Sequence, residues 1–258
     1  MKLLICNDDG YQAEGLLFLQ EYFSQRNNEV YVIAPYKEQS GKSHSITFTD
    51  GMMLIKKSEK FWVLDGTPAD CVNVGLCGLL PVKPDLIISG INLGYNIGMD
   101  TLYSGTVSAA KEAVVHGYPA ISLSSGIAHN GKDILNASSC NINYKEISNF
   151  LDNHFQSLVK AAVSHSENNR HLININFPGG EGKFAGIKRT IPSKETRYQD
   201  EIVTFNSPVG KEYIWVKGKL CEHSDPDLIT DVGAVRAGYV SVSAINVLPE
   251  DSGVNILF

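Results

Sequence analysis

Two adjacent carboxylates, Asp8 and Asp9, follow the first apolar segment of the chain, residues 3–6. A short strand that is apolar on both faces is typical of the middle of a parallel sheet, and such sheets bind ligands beyond the carboxyl ends of their strands. Neighbouring carboxylates repel each other and resist burial unless a cation neutralises them. Oxygen ligands favour a hard ion, so the pair predicts one divalent cation, Mg²⁺ or Mn²⁺. The alternative is a turn in which an Asp caps the next helix.

A second candidate site lies in residues 90–100, directly after the apolar segment 85–89. Glycine recurs at every fourth position, and Asn92 and Asn96 stand between the glycines. This spacing fits neither a regular helix nor a regular strand. Glycine lets a backbone approach a ligand closely, and asparagine supplies neutral oxygen and amide groups. We therefore predict a ligand-binding loop.

A helix is predicted to begin just after Ser104, Gly105 and Thr106 and to end at Gly117. The first N–H groups of a helix have no partner inside the helix and attract anions, so this end is a candidate phosphate site. The competing interpretation is that Ser104 or Thr106 caps the helix. The two roles are compatible.

The elements that must position these residues alternate between strands and helices. Helices are predicted over 15–23, 67–78, 107–116 and 144–163, and strands over 30–34, 61–64, 85–89, 119–123, 172–177 and 238–245. Residues 45–48 and 52–56, separated by Asp50 and Gly51, predict a hairpin. A polar loop that contains Ser40 leaves the sheet edge shared with Asp8 and Asp9, so it can reach them. The fold class is α/β with a mostly parallel sheet.

Residues 183–231 differ from this alternation, because they form short β-like pieces with several aromatic side chains. The aromatics are Tyr198, Phe205, Tyr213 and Trp215. We predict a single domain over 1–258, with a core of about 1–182 and 232–250 and an extended β arm of about 183–231. The arm packs either on a second subunit or on the core of its own subunit.

Composition excludes several classes of protein. The chain has 258 residues and a formal charge of −6, which argues against a general nucleic-acid grip. Its five cysteines are scattered without paired spacing, as expected for reduced thiols in a cytosol. No apolar run approaches the length of a membrane span, and the start of the chain is too short for a signal peptide. We expect a cytoplasmic protein without a membrane or nucleic-acid partner.

Ordered motifs along nearly the whole chain resemble the SurE survival-protein family, metal-dependent nucleoside monophosphate phosphatases. The motifs are Asn7-Asp8-Asp9-Gly10, Gln39-Ser40-Gly41, His44-Ser45-Ile46-Thr47, Gly66-Thr67-Pro68-Ala69-Asp70-Cys71, Ser89-Gly90-Ile91-Asn92, Gly98-Met99-Asp100, Tyr103-Ser104-Gly105-Thr106-Val107, Thr230-Asp231, Ala234-Val235 and Gly238-Tyr239-Val240-Ser241. The sequence departs from the family where proline often precedes Gly15, because Glu14 stands there. The tail after Val247 is weakly matched.

The resemblance implies a three-layer Rossmann-like fold and hydrolysis of nucleoside 5′-monophosphates, with 3′-monophosphates and short polyphosphate as further candidate substrates. It places the divalent cation, Mg²⁺ or Mn²⁺, on Asp8, Asp9, Ser40 and Asn92. Asn96, Ser104, Gly105 and Thr106 correspond to the residues on the phosphate side, and Asp8, Asp9, Asn96 and Ser104 to the catalytic set. Family members form dimers or tetramers through the arm, which implies a homodimer or homotetramer here.

Two other classes compete with a phosphatase. A phosphoreceiver also gathers acids and a cation at its first strand, but it needs a lone Asp at a middle-strand tip, where this chain has Asn92. A non-catalytic nucleotide sensor would bind without turnover. Within the phosphatase reading, the nucleophile is either an activated water or one of Asp8 and Asp9. His44 is either a proton donor to the leaving group or a structural residue.

Overall fold

The computed structural model describes residues 1–126, 142–164, 171–194, 198–220 and 227–247. The strands are β1 Lys2–Cys6, β2 Glu29–Pro35, β3 Leu54–Ser58, β4 Phe61–Leu64, β5 Leu86–Leu93, β6 Ala120–Ser125, β7 His171–Phe177, β8 Gly186–Thr190, β9 Tyr198–Asn206, β10 Glu212–Leu220 and β11 Tyr239–Asn246. The helices are α1 Glu14–Ser24, α2 Pro68–Val74, α3 Gly105–Val115, α4 Tyr144–Ser164 and α5 Asp231–Arg236.

Nine strands form the main sheet, in the order β3-β4-β2-β1-β5-β6-β7-β11-β8. β1 lies between β2 and β5 and pairs with both in parallel. The antiparallel pairs are β3 with β4 and β7 with β11. Helices cover both faces, which confirms the predicted three-layer α/β fold with a mostly parallel sheet.

The side chains on the two faces of β1 pack into two separate hydrophobic cores. Leu3 and Ile5 pack with residues of α1 and α4, whereas Leu4 and Cys6 pack with residues of α2 and α3. All four side chains are fully buried. Side chains alternate along a strand, so a strand that is apolar at every position can fill the layers on both sides of the sheet.

The predicted hairpin over 45–48 and 52–56 is wrong. The hairpin is instead formed by β3 and β4, and residues 36–53 are a long irregular loop. Thr47 explains the difference, because its N–H and its hydroxyl both donate to the carboxylate of Asp70 at 2.8 Å. A side chain on α2 thus takes the place of a neighbouring strand.

The predicted arm divides into two parts in the structure. β8 is one of the two edge strands of the main sheet and pairs in parallel with β11. β9 and β10 form a separate antiparallel two-stranded sheet, which we call the β9–β10 hairpin. The side chain of Tyr198 lies outside the described part of the chain, as do Cys140, Cys221 and the tail after Val247. No described helix is long and apolar enough to cross a membrane.

Candidate active site

The first strand ends in a tight turn that fixes Asp8 and Asp9 at the carboxyl edge of the sheet. The side-chain amide of Asn7 donates to the carbonyl of Gly10 at 2.9 Å, across the turn. Asp8 is 3% exposed. Asp9 accepts a hydrogen bond at 3.2 Å from the N–H of Leu93, which is the last residue of β5. The Asp9 carboxylate therefore faces the tip of the neighbouring strand.

Helix α3 begins directly against Asp8. The hydroxyl of Thr106 donates to Oδ1 of Asp8. A Cβ atom on Gly105 would lie 2.8 Å from Cβ and 2.9 Å from Oδ2 of Asp8. Real Cβ atoms do not approach so closely, so glycine is required here by the distance between helix and strand. The sequence pattern that predicted a phosphate cradle thus also places the helix against the acidic pair.

Ser104 caps α3, because its hydroxyl oxygen accepts from the N–H of Val107 at 3.0 Å. A hydroxyl that accepts one hydrogen bond still carries a proton to donate. Within the described residues, the N–H of Gly105 has no acceptor. The capping interpretation is therefore realised, and two donors remain for an anion at this end of the helix.

Asn92 reaches the same edge through an irregularity in β5. Ser89 and Asn92 pair with Ser122 and Ser124 of β6, so one extra residue is inserted into β5. Such a bulge redirects the side chains that follow it. The amide nitrogen of Asn92 donates to the carbonyl of Gly94 at 2.9 Å. That bond fixes the amide and leaves Oδ1 without a donor among the described residues.

Ser40 lies in the loop that was predicted to reach the carboxylates. The N–H of Gln39 donates to the backbone carbonyl of Asp8 at 2.8 Å, so the loop is bound to the turn one residue before Ser40. Ser40 is exposed, and its N–H donates to Glu38 at 3.3 Å. In the described structure its hydroxyl makes no hydrogen bond to either carboxylate.

Burial perturbs the pKa of both acids, and the charge of Asp8 adds to the effect at Asp9. Burial raises the pKa of Asp8 above its usual value of 3.8, although the hydrogen bonds from Thr106 oppose the increase. Burial, and then the charge of Asp8, raise the pKa of Asp9 from 3.8 to about 7. Two carboxylates with raised pKa values at a strand tip are a site where positive charge is favoured.

The donor atoms at this edge fit a hard divalent cation. Asp8 and Asp9 carry carboxylate oxygens, Asn92 carries an amide oxygen, and Ser40 on the adjoining loop carries a hydroxyl. No group of three or more His, Cys, Asp or Glu side chains in the described ranges could hold a metal ion. A site here consequently depends on neutral oxygen ligands beside the two acids, as Mg²⁺ and Mn²⁺ accept.

Asn96 is held by polar side chains of the sheet. Its N–H donates to Asn176 at 2.8 Å, and its carbonyl accepts from Asn174 and Asn176 at 2.8 and 3.0 Å. Its side-chain amide donates to Ser124 at 2.8 Å. Sequence reasoning missed Asn174 and Asn176. Their signal was available, because two asparagines two residues apart lie on one face of an otherwise apolar strand.

Asp231 anchors the other end of the glycine-rich loop. Its carboxylate accepts from the N–H of Gly98 and of Ser193, both at 2.8 Å. The side chain is fully buried. Burial raises its pKa, while these hydrogen bonds oppose the increase. The motif at residues 230–231 therefore holds, by a hydrogen bond, a loop that lies more than a hundred residues earlier in the chain.

Comparisons with known proteins agree on one family. The family model described as Survival protein SurE matches residues 3–200. A 5′-nucleotidase SurE of Thermoanaerobacter sp. (strain X514) is 39% identical over 262 residues, which is 100% of this chain and 97% of the relative. One of Pelotomaculum thermopropionicum is 39% identical over 95% of this chain and 89% of its own.

A solved structure shows the same relationship in three dimensions. The crystal structure of the SurE protein from Aquifex aeolicus superposes with a TM-score of 0.76 at 32% identity, and covers 97% of this chain and 95% of its own. Fold and site together define a doubly wound α/β protein with an acidic site at the strand-tip edge of its sheet. The chain belongs to the SurE family.

Proposed function

We propose that this protein is a divalent-metal-dependent 5′-nucleotidase, which hydrolyses nucleoside 5′-monophosphates to nucleoside and phosphate. The relatives named 5′-nucleotidase SurE support the nucleotide phosphatase activity. The observation that carries the metal dependence is the close approach of Asp8 to the start of α3. There, one buried and one partly buried carboxylate, both with raised pKa values, lie near helix N–H groups that attract anions.

The proposed ligands of the cation are Asp8, Asp9, Asn92 and Ser40. A bound Mg²⁺ or Mn²⁺ would offset the two negative charges and polarise a phosphoryl oxygen. The protein's own contribution is to hold the ligands in place. Thr106 orients Asp8 by its hydrogen bond, and Leu93 orients Asp9.

The proposed phosphate site is the start of α3. The N–H of Gly105 and the hydroxyl proton of Ser104 would donate to phosphoryl oxygens, where negative charge is held in the transition state. Thr106 gives its hydroxyl proton to Asp8, so its role is to join the phosphate side of the site to the acidic side. Hydrogen bonds to Ser124 on β6 and to Asn176 on β7 hold Asn96 in a fixed position, from which it would contact the substrate.

Assembly of two or more copies through the β9–β10 hairpin is a further part of the proposal. Several of its apolar side chains are more than half exposed, including Ile202, Ile214, Trp215 and Val216. Apolar area on this scale is typical of a surface that another protein covers. A homodimer or homotetramer would cover it with a second copy of the same chain.

Phosphate release from a panel of substrates tests the activity directly. The panel contains 5′- and 3′-monophosphates of each nucleoside and short polyphosphate, each with Mn²⁺, Mg²⁺ or EDTA. We expect release from 5′-monophosphates with a divalent cation and none with EDTA. Full activity in EDTA would contradict the metal site. Tight nucleotide binding without any phosphate release would indicate a sensor.

A further inference from the structure

Glu112 is a buried carboxylate on α3 that the proposed reaction does not use. Its side chain is 7% exposed, and both of its oxygens are engaged. Oε2 accepts from Nε2 of His44 at 2.7 Å, while Oε1 accepts from Nε2 of His116 at 3.1 Å and from the amide of Asn73 at 3.0 Å. Burial alone would raise the pKa of Glu112, but its partners, above all His44, outweigh that effect and lower it.

Only one of the three partners brings a separate part of the chain to α3. His116 stands four residues after Glu112, at the end of the same helix. Asn73 is on α2, which already packs along α3 in the second hydrophobic core. His44 belongs to the loop 36–53, which also carries Ser40. The His44 contact therefore joins the Ser40 loop to the helix of the phosphate site.

Other hydrogen bonds hold this loop on both sides of His44. Before it, Ser43 donates through its hydroxyl to Leu102 at 2.6 Å and through its N–H to Tyr103 at 3.0 Å. After it, Thr47 is held by Asp70. The two bonds of Ser43 end on Leu102 and Tyr103, directly before Ser104 of the phosphate site. Within this set, His44 and Thr47 each donate to a buried carboxylate, Glu112 and Asp70, and hydrogen bonds to charged groups are the stronger ones. Of these two carboxylates, Glu112 is the one on the helix of the phosphate site.

The position of Glu112 argues against a direct chemical role for His44. Glu112 comes six residues after Thr106, which is about 9 Å along a helix axis. A proton donor must come within hydrogen-bond reach of the leaving group, about 3 Å or one water away. Nε2 of His44 is engaged at Glu112, which lies beyond the first turn of α3.

We infer that Glu112 and His44 are a pair of positioning residues that hold the Ser40 loop against α3 and so set the place of Ser40 relative to the phosphate site. This inference rests on the proposed function and deepens it. Ser40 is the proposed cation ligand that stands on a loop and not at a strand tip, and a ligand on a loop needs support to be placed accurately.

His44→Ala and His116→Ala form a matched pair for the test. Both remove a histidine that contacts Glu112, and the two side chains are similarly exposed, 33% and 29%. Each variant leaves Glu112 with its other histidine and Asn73. Only His44→Ala removes a hydrogen bond between the loop and α3. We expect faster amide hydrogen exchange at residues 38–47 in metal-free His44→Ala and unchanged exchange in His116→Ala.

Calorimetric titration of the nucleotide-free proteins with Mn²⁺ gives the second readout. We expect the dissociation constant of His44→Ala to rise by about threefold to tenfold, the equivalent of one hydrogen bond. That of His116→Ala should change by less than about twofold. His44→Gln keeps an N–H donor of similar reach and should recover most of the affinity. Equal constants for the two alanine variants would overturn the inference.

Two substrates separate positioning from proton donation. A proton donor matters for a nucleoside leaving group and far less for p-nitrophenolate, which leaves without one. We expect His44→Ala to lower phosphate release from a nucleoside monophosphate and from p-nitrophenyl phosphate by the same factor. A loss confined to the nucleotide, with no recovery in His44→Gln, would overturn positioning in favour of catalysis by His44.

The exchange experiment also separates this inference from the proposed function. If the unmodified protein bound no cation and released no phosphate, the proposed function would fail. Faster loop exchange in His44→Ala alone would in that case still support the link between Glu112 and the loop. Equal exchange in the two variants would overturn the link whatever the activity.

Discussion

The site at the start of α3 and the β9–β10 hairpin reverse the usual distribution of side chains in opposite ways. At the site, polar groups are buried: Thr106 is fully buried, Asp8 is 3% exposed and Ser104 is 6% exposed. On the hairpin, apolar groups face outward: Ile214 is 65% exposed and Trp215 is 64% exposed. Buried charge and exposed apolar area both cost free energy unless something compensates them.

The comparison teaches what kind of binding each region supports. The site concentrates negative charge and directed hydrogen-bond donors, which suit a cation and a phosphate group. The hairpin concentrates apolar area, which suits another protein surface. If this division is correct, a change in one region should alter its own kind of binding and leave the other unaffected.

The largest effect is expected for Asp9→Asn, which removes one negative charge from the site with little change of shape. Phosphate release with Mn²⁺ or Mg²⁺ should fall at least about a hundredfold, since the cation and the charge stabilisation it supplies are both weakened. Sedimentation should show the same assembly as the unmodified chain. Asp65→Asn, at an exposed position, is the control and should keep full activity. A fully active Asp9→Asn would contradict the metal site.

The next effect concerns Ser104 and the phosphate group. Ser104→Ala removes a hydroxyl donor at the start of α3, so inhibition by inorganic phosphate should weaken by about ten- to a hundredfold. Ser108→Ala is the matched control, because Ser108 is buried on the same helix and donates to the carbonyl of Ser104 at 2.6 Å. If the two variants are inhibited equally, Ser104 is a helix cap alone.

A smaller effect is expected on the hairpin. Trp215→Ser should raise the dissociation constant of the assembly by about thirtyfold, the usual effect of losing a central aromatic at an interface. Cation affinity should stay unchanged. Phe48→Ser provides the control, because Phe48 is 87% exposed but lies outside the hairpin. Sedimentation velocity over a range of concentrations gives the constants. A monomeric unmodified chain would refute assembly through the hairpin.

The sequence predicted those parts of the molecule that depend on neighbours along the chain. The apolar runs of β1 and β5 gave the strand tips with Asp8 and Asn92, and Gly117 gave the end of α3. These features follow from local side-chain patterns and from turn-forming residues.

Contacts between distant segments could not be predicted in this way. Asn176 holds Asn96 across 80 residues, and Asp231 holds Gly98 across 133 residues. These pairs depend on the order of strands in the sheet, which a local pattern does not contain. The prediction of a hairpin over 45–48 and 52–56 is wrong for the same reason, because the hydrogen-bond partner of Thr47 is the side chain of Asp70 on α2.

The smallest expected effect is on the stability of the metal-free protein, and its sign follows from the raised pKa of Asp9. The folded protein keeps a proton on Asp9 up to about pH 7, whereas the unfolded chain releases it near the usual value of 3.8. The contribution of Asp9 to stability is therefore fully present below about pH 4 and is lost as the pH rises to about 7.

Asp9→Asn has no such group to ionise, so in EDTA it should be more stable than the unmodified chain at pH 8 and should lose this advantage towards pH 4. A difference of about 1 to 3 kcal/mol is expected, because partial solvent access reduces the full effect. Thermal unfolding of both proteins in EDTA between pH 4 and pH 8 measures it. A helix cap would give the opposite sign at pH 8, a loss of about 1 kcal/mol in the variant.

Adding Mn²⁺ at pH 8 should then stabilise the unmodified chain far more than Asp9→Asn, since the cation supplies the charge that the acidic pair needs. Such a change in the order of stability would show that cation binding offsets the free-energy cost of holding Asp8 and Asp9 together at this site.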